Sequence, residues 1–205
     1  MTMQLTFLNQ LADGGDADVV LFQQLGLPGA PCQPVVWKAI RHCGRDCSHP
    51  FRYAAEVELG VIDAYGNHTP RIAAGAGGRY RYASLAVGRQ LQVAGHDGGS
   101  DLLLVRNELP RGAIRALLSK AGRALAVSQP VAPQQIAGFR LGPPVLWITT
   151  AHCLAEGQAV PAALVAQATA LPLAGLASAT IVLRGGGCGA QARSHLFTLE
   201  QQVRA

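Results

Sequence analysis

The chain has 205 residues, of which 49% are hydrophobic and only 14% are charged. Its 24 glycines and 12 prolines exclude a protein built on long helices and favour many short strands joined by turns. The net charge of +5 is concentrated in residues 71–123, which hold nine basic and three acidic side chains. This basic middle segment predicts either a surface for an anionic partner or a solvated face.

The first predicted elements are two strands, at residues 3–8 and 19–23, separated by an acidic turn. The turn contains Asp13, Asp16 and Asp18, and carboxylates are preferred ligands of calcium. The spacing of an EF-hand and its distal glutamate are absent. We therefore interpret this segment as the turn of a hairpin.

The central stretch of the chain predicts a β-meander. Residues 35–40 are apolar and contain Trp37, which suits a buried strand, and residues 51–61 alternate in part between apolar and charged side chains. A loop at residues 41–50 separates these strands, and residues 63–67 form a tight turn because glycine and asparagine tolerate positive φ.

The loop between these strands contains His42, Cys43, Cys47 and His49 within eight residues. Zinc binds thiolates and imidazoles, usually as two separated ligand pairs. Cys43, Cys47 and His49 are therefore candidate zinc ligands, together with one distant residue, although a second pair at matching spacing is missing. Free or buried thiols are the alternative, and a Cys43–Cys47 disulfide is open in an oxidising compartment.

Residues 79–82 form the predicted anion-binding or membrane-binding site. In a strand, Arg79 and Arg81 share one face, and Tyr80 and Tyr82 share the other. Arginine provides a planar fork of donors for anions, and tyrosine provides a flat aromatic face. An ordinary amphipathic strand is the alternative interpretation.

Further strands are predicted along the rest of the chain. Residues 111–120 fit a short helix as well as a strand pair. Residues 157–183 contain no charged side chain, but Pro161 and Pro172 interrupt them, so two buried strands fit better than a membrane-spanning helix. The predicted strands after residue 88 are 89–94, 102–106, 113–119, 123–128, 136–141, 145–150, 164–171, 179–183 and 196–199.

No coherent catalytic set is visible. Residues 147–153 resemble the segment around the catalytic histidine of chymotrypsin-like proteases, but no aspartate follows His152, and Ser178 and Ser194 lack the required context. A cysteine nucleophile with a histidine base stays open on residue counts alone. The glycine run at residues 185–189 lacks the lysine of a phosphate-binding loop. We therefore lean towards a protein that is not an enzyme.

Two motifs resemble a group of uncharacterised bacterial all-β proteins of about this length. The first is W-K-x-I-x-x-C-G followed by H-P-F at residues 37–51, and the second is D-x-Y-G-N-x-T-P at residues 63–70. The similarity extends over residues 19–187. It implies a soluble all-β bacterial protein, and no activity or site residue comes with it.

These patterns predict an all-β fold, an antiparallel β-sandwich of about twelve short strands in two sheets. We expect one domain over residues 1–205. A pseudo-repeat of two halves, with a break near 110–130, is suggested by VVWKAIRHC at 35–43 and PVLWITTAHC at 144–153, because each places a tryptophan-bearing strand before a histidine–cysteine pair.

The low charge and high apolar content favour a non-enzymatic binding or assembly module that self-assembles or acts on membranes in a toxin-like manner. Expected partners are another copy of the chain, an anionic membrane or a glycan, and nucleic acid is not expected. No cofactor is expected, with zinc as the alternative in a small metal-stabilised domain or enzyme. Because no secretory signal is visible, we expect a cytoplasmic protein or export without a leader.

Overall fold

The computed structural model describes residues 2–28, 32–187 and 192–204. The described chain is all-β, which confirms the predicted class, and its helix α1 (Ala162–Gln167) lies between β14 and β15. The strands are β1 (Thr2–Leu11), β2 (Ala17–Phe22), β3 (Cys32–Pro34), β4 (Lys38–Cys43), β5 (Ser48–Ala54), β6 (Val57–Ile62), β7 (Ile72–Ala74), β8 (Gly78–Leu85), β9 (Gly88–His96), β10 (Leu102–Asn107), β11 (Arg115–Lys120), β12 (Arg123–Ser128), β13 (Ile136–Arg140), β14 (Val145–Thr150), β15 (Thr169–Pro172), β16 (Leu176–Gly186) and β17 (Arg193–Arg204).

Two parts of the sequence prediction need correction. The described residues form seventeen strands in four mostly antiparallel sheets, rather than about twelve in two. Three of these strands have only three or four residues, which is too short to show alternation, and residues 51–61, predicted as one strand, are divided between β5 and β6. The segment 164–171, predicted as a strand, begins within α1, since Pro161 precedes a run of good helix formers. In the open segment 111–120, the residues Arg115–Lys120 form the strand β11.

By its internal packing the chain divides into two compact units. Unit 1 comprises Met1–Phe22, Val36–Ala55 and Pro143–Ala205, and unit 2 comprises Gln23–Val35 and Glu56–Gly142. The expectation of one domain over residues 1–205, with a pseudo-repeat of two halves that breaks near 110–130, stays a prediction.

Unit 1 contains two four-stranded sheets, with the strand orders β17-β16-β1-β5 and β15-β14-β2-β4. Alternate residues of β1 are buried, among them Leu5 and Phe7, so one face of the first sheet points into the core. Trp37, immediately before β4, packs against Phe51 and Tyr53 of β5 at ring-centroid distances of 6.2 and 5.4 Å. The tryptophan therefore joins the two sheets.

The second sheet of unit 1 is also covered on its other face. Val20 and Phe22 of β2 are fully buried against Val36, Ala151 and Val160. Side chains from α1 and from the residues around it pack on this cluster. Burial on both faces explains why residues 19–22 of β2 are a continuous apolar run without alternation.

Unit 2 also contains two sheets, with the orders β13-β10-β8-β9 and β3-β12-β11-β6-β7. Its fully buried side chains come from both sheets and include Leu103, Phe139, Leu59 and Leu118.

The two units share one strand topology. β1, β2, β4 and β5 of unit 1 correspond to β10, β11, β12 and β13 of unit 2, and β14 to β17 correspond to β6 to β9, with β3 as an addition. The correspondence includes the parallel pairs β1–β16 and β10–β8. It also includes the register. In unit 1, Leu21 of β2 lies opposite Lys38 of β4 and Ile148 of β14. In unit 2, Leu118 of β11 lies opposite Ala126 of β12 and Leu59 of β6.

A buried asparagine occupies the same place in each unit. Asn9 directly follows the last residue of β1 that pairs with β5, and it donates to the carbonyls of Gly15 and Cys43 at 3.0 and 2.7 Å. Asn107 ends β10 and donates to the carbonyls of Gly112 and Val131 at 3.0 and 2.9 Å. Each side-chain oxygen accepts the main-chain N–H two residues later. The two units therefore share these buried hydrogen bonds as well as the order of their strands.

Candidate anion-binding surface

The strand β8 arranges the predicted anion-binding residues on two opposite faces. Tyr80 and Tyr82 are buried, whereas the side chains of Arg79 and Arg81 are 59% and 45% exposed. This alternation follows from the pleat of an extended strand. The two arginines are therefore available to solvent, as the sequence indicates.

Pairing of β8 with β10 adds a third arginine to the same face. The register places Arg81 directly opposite Arg106, which is also exposed. Like charges directly opposite each other on a sheet disfavour folding. We call Arg79, Arg81 and Arg106 the arginine face. Sequence reasoning missed Arg106, because the parallel pairing of two distant strands leaves no local signal.

One polar partner holds each of these arginines. Asp97 lies 3.3 Å from Arg79, Glu108 lies 3.7 Å from Arg81, and Arg106 donates to the side-chain oxygen of Gln134 at 3.1 Å. Exposed ion pairs contribute little to stability. A guanidinium has five N–H donors, so each arginine keeps further donors for an anion beside its partner.

The tyrosines support this sheet from its inner side and do not lie beside the guanidinium groups. Tyr80 donates to the carbonyl oxygen of Ala73 at 3.5 Å. Burial raises the pKa of Tyr82 above its usual value. Aromatic stacking next to the arginines is therefore not what these tyrosines provide.

The hairpin β8–β9 ends in exposed apolar residues. Leu85, the last residue of β8, and the turn residues Ala86 and Val87 form what we call the apolar tip, in which Leu85 and Val87 are 37% and 79% exposed. Gly88 follows with φ of 110°, a conformation that side-chain-bearing residues rarely adopt. A β-hairpin with a solvent-exposed apolar turn and basic strands is amphipathic along its length.

A neighbouring turn adds an exposed aromatic ring. The carboxylate of Asp63 accepts the side-chain amide of Asn67 and the main-chain N–H groups of Asn67 and Tyr65, which lowers the pKa of Asp63. The same carboxylate lies 3.9 Å from Arg89 on β9. Tyr65, at the tip of this turn, is 83% exposed.

The three predicted zinc ligands differ in how far they are buried. Cys43 is buried at the end of β4, Cys47 is exposed in the following turn, and His49 is half-buried on β5, where burial lowers its pKa. Within the described ranges, no three histidine, cysteine, aspartate or glutamate side chains come together in a group that could hold a metal ion. The zinc alternative stays a prediction.

A polar cluster in unit 1 unites the two histidine–cysteine segments of the sequence. β4 and β14 flank β2, and the carboxylate of Asp18 lies 3.5 Å from both Arg41 and His152. It also accepts the main-chain N–H of His42 at 2.8 Å, which is the largest cause of its lowered pKa. The carboxylate thus ties three strand ends together. The repeated W…H-C pattern was the sequence signal for this proximity.

No family model, no curated protein and no solved structure matches the chain. Across the part of the chain that the structure describes, α1 is too short to cross a bilayer, and no other helix qualifies.

Proposed function

We propose that the protein is a non-enzymatic module that binds anionic membrane surfaces through unit 2. The observation that carries this proposal is the β8–β9 hairpin, whose apolar tip projects beyond strands that bear Arg79 and Arg81. The apolar tip enters the interface between headgroups and acyl chains, and the arginine face binds lipid phosphates. The predicted toxin-like or self-assembling action would be a later step on the membrane.

The chemistry of each part fits this surface. Arginine near an anionic bilayer contributes about 1 kcal/mol per side chain, and its fork of donors matches phosphate oxygens. Leu85 and Val87 gain by leaving water, at about 25 cal/mol per Å² of apolar area. The exposed ring of Tyr65 suits the interface, where tyrosine is enriched.

Unit 1 provides evidence that the fold does not need these arginines. By strand register, Arg79, Arg81 and Arg106 correspond to Thr180, Val182 and Leu8. The same positions of the same topology are uncharged in unit 1. The arginine face is therefore an addition to the fold and not a requirement of it.

The distribution of charge supports the same surface. Unit 2 contains ten basic and six acidic side chains, whereas unit 1 contains seven and six. Four of the five net positive charges thus belong to unit 2. Attraction to an anionic surface increases with such a local excess.

The test is co-sedimentation with phosphatidylcholine vesicles that contain or lack phosphatidylglycerol. We expect binding only to the anionic vesicles, weaker in high salt because salt screens the arginines. Arg79→Gln/Arg81→Gln should weaken binding about tenfold or more, from about 1 kcal/mol per arginine. Its matched control is Arg115→Gln/Arg123→Gln, which removes the same charge from the other sheet of unit 2.

A second pair of variants distinguishes insertion of the apolar tip from binding by the arginines. Leu85→Ser/Val87→Ser should weaken binding to anionic vesicles, whereas Leu196→Ser/Val203→Ser, at residues 56% exposed on β17 in unit 1, should not. Equal binding by all variants, or no binding by the wild type, would refute the proposal. Light scattering that shows a closed oligomer indifferent to lipid would favour self-assembly instead.

A further inference from the structure

The turn between β4 and β5 contains two free thiols in different environments. Cys43 is buried and Cys47 is exposed. The turn is closed by the N–H of Cys47, which donates to the carbonyl of Gly44 at 3.0 Å, and Asp46 within it has φ of 60°. Neither the arginine face nor the polar cluster of Asp18 uses these thiols.

The Cys43 sulfur is directed towards Cys47, and the Cys47 sulfur lies beside Gly44, the residue that follows Cys43. The Cys43 thiol donates to the carbonyl oxygen of Cys47 at 3.4 Å. The Cys47 sulfur lies back over Gly44, since a Cβ on that glycine would be 3.6 Å from it. Burial raises the pKa of the Cys43 thiol, and the proximity of Cys47 raises it further.

Unit 2 contains the same turn without thiols. The N–H of Gln135 donates to the carbonyl of Ala132 at 3.0 Å, as the N–H of Cys47 donates to that of Gly44 in unit 1. Gln134 has φ of 67° where Asp46 has φ of 60°. In both turns the main chain of the buried asparagine pairs with these residues. Val131 and Gln135 stand where unit 1 has Cys43 and Cys47, so the turn forms without cysteine.

We propose that Cys43 and Cys47 are a redox site that closes reversibly as a disulfide across the β4–β5 turn. Cys47, which is exposed, reacts first as the thiolate with a small disulfide such as oxidised glutathione. Its sulfur displaces one glutathione thiolate and forms a mixed disulfide. The Cys43 thiolate then attacks the Cys47 sulfur and releases the second glutathione, so that both cysteine protons end on the two reduced glutathione molecules.

The experiment incubates the native protein with oxidised glutathione, blocks remaining thiols with N-ethylmaleimide and maps tryptic peptides. Trypsin cleaves after Arg41, Arg45 and Arg52, so the disulfide would join peptide 42–45 to peptide 46–52. We expect this linked pair in the wild type, and its loss on treatment with dithiothreitol.

The control variants take their residues from unit 2. Cys43→Val should leave Cys47 as a stable glutathione adduct, because no second thiol resolves it. Cys47→Gln should leave Cys43 reduced, because its thiol is buried. A wild type in which Cys47 retains glutathione while Cys43 is alkylated after unfolding would overturn the proposal, and so would pairing of Cys47 with Cys32, Cys153 or Cys188. The wild-type map decides the question even if a variant fails to fold.

Discussion

Units 1 and 2 have the same strand topology but different surfaces. In unit 1 the segment between β14 and β15 contains α1 and covers the sheet with apolar side chains, whereas the corresponding segment of unit 2, between β6 and β7, is a short polar turn. In the other sheet the contrast is charge, since unit 2 has arginines where unit 1 has Thr180, Val182 and Leu8. The two units share their strand pairing, and they differ in the side chains that lie on the faces of their sheets.

The order of the equivalent strands along the chain is also informative. The strands β1, β2, β4 and β5 are followed by β6 to β9, and then both sets recur as β10 to β13 and β14 to β17. Each unit combines the first set of one copy with the second set of the other. The topology is that of two successive copies that exchange halves.

The largest expected effect concerns a buried position that holds an aromatic side chain in unit 1 and a polar one in unit 2. Phe22 and Ser119 follow the matched residues Leu21 and Leu118, and both are fully buried. Phe22→Ala should lower the free energy of unfolding by about 3–5 kcal/mol, because it opens a cavity in the cluster beneath α1.

Ser119→Ala is the matched variant in unit 2. The Ser119 hydroxyl is buried and has no hydrogen-bond partner among the described residues, so its removal should leave stability unchanged or raise it by about 1 kcal/mol. Urea unfolding measures both variants. A loss at Ser119 similar to the loss at Phe22 would show that the two positions are not packed as the structure indicates.

A smaller and equal effect is expected where the units agree. Asn9→Ala and Asn107→Ala each leave two main-chain carbonyls without their donor in a buried site. Each should cost about 2 kcal/mol, since an unsatisfied buried group costs about 1–3 kcal/mol. Gln4→Ala, on the exposed side of β1, is the control. If only one asparagine mattered, the equivalence of the units would be superficial.

Sequence patterns were sufficient where the signal is local. The alternation of residue types predicted that Arg79 and Arg81 lie on one face of β8 and the tyrosines on the other. The strand β12 was predicted with its observed bounds. Residues 164–171 were assigned to a strand because they lack charge, although Pro161 and the alanines after it indicate a helix.

Features that depend on long-range pairing were not visible. Arg106 lies beside Arg81 only because β8 and β10 pair in parallel. The repeat suggested by the two tryptophan segments involves strands that are not equivalent, since β4 corresponds to β12 and β14 to β6. The true correspondence rests on register and on Asn9 and Asn107, which have different neighbours in the sequence.

The smallest predicted effect concerns how the units connect two equivalent strands. The segment from β2 to β4 contains residues 23–35, which belong to unit 2, whereas β11 and β12 are joined directly by Ala121-Gly122, with φ of 51° and 74°. Two positive φ angles define a type I′ turn, for which Asn-Gly is preferred. Ala121→Asn should therefore stabilise the protein by about 0.5–1 kcal/mol, because alanine is strained in this conformation. Gly122→Ala should act in the opposite direction by about 1 kcal/mol. Thermal unfolding of both variants measures the difference. Two changes of the same sign would contradict a type I′ turn at Ala121-Gly122.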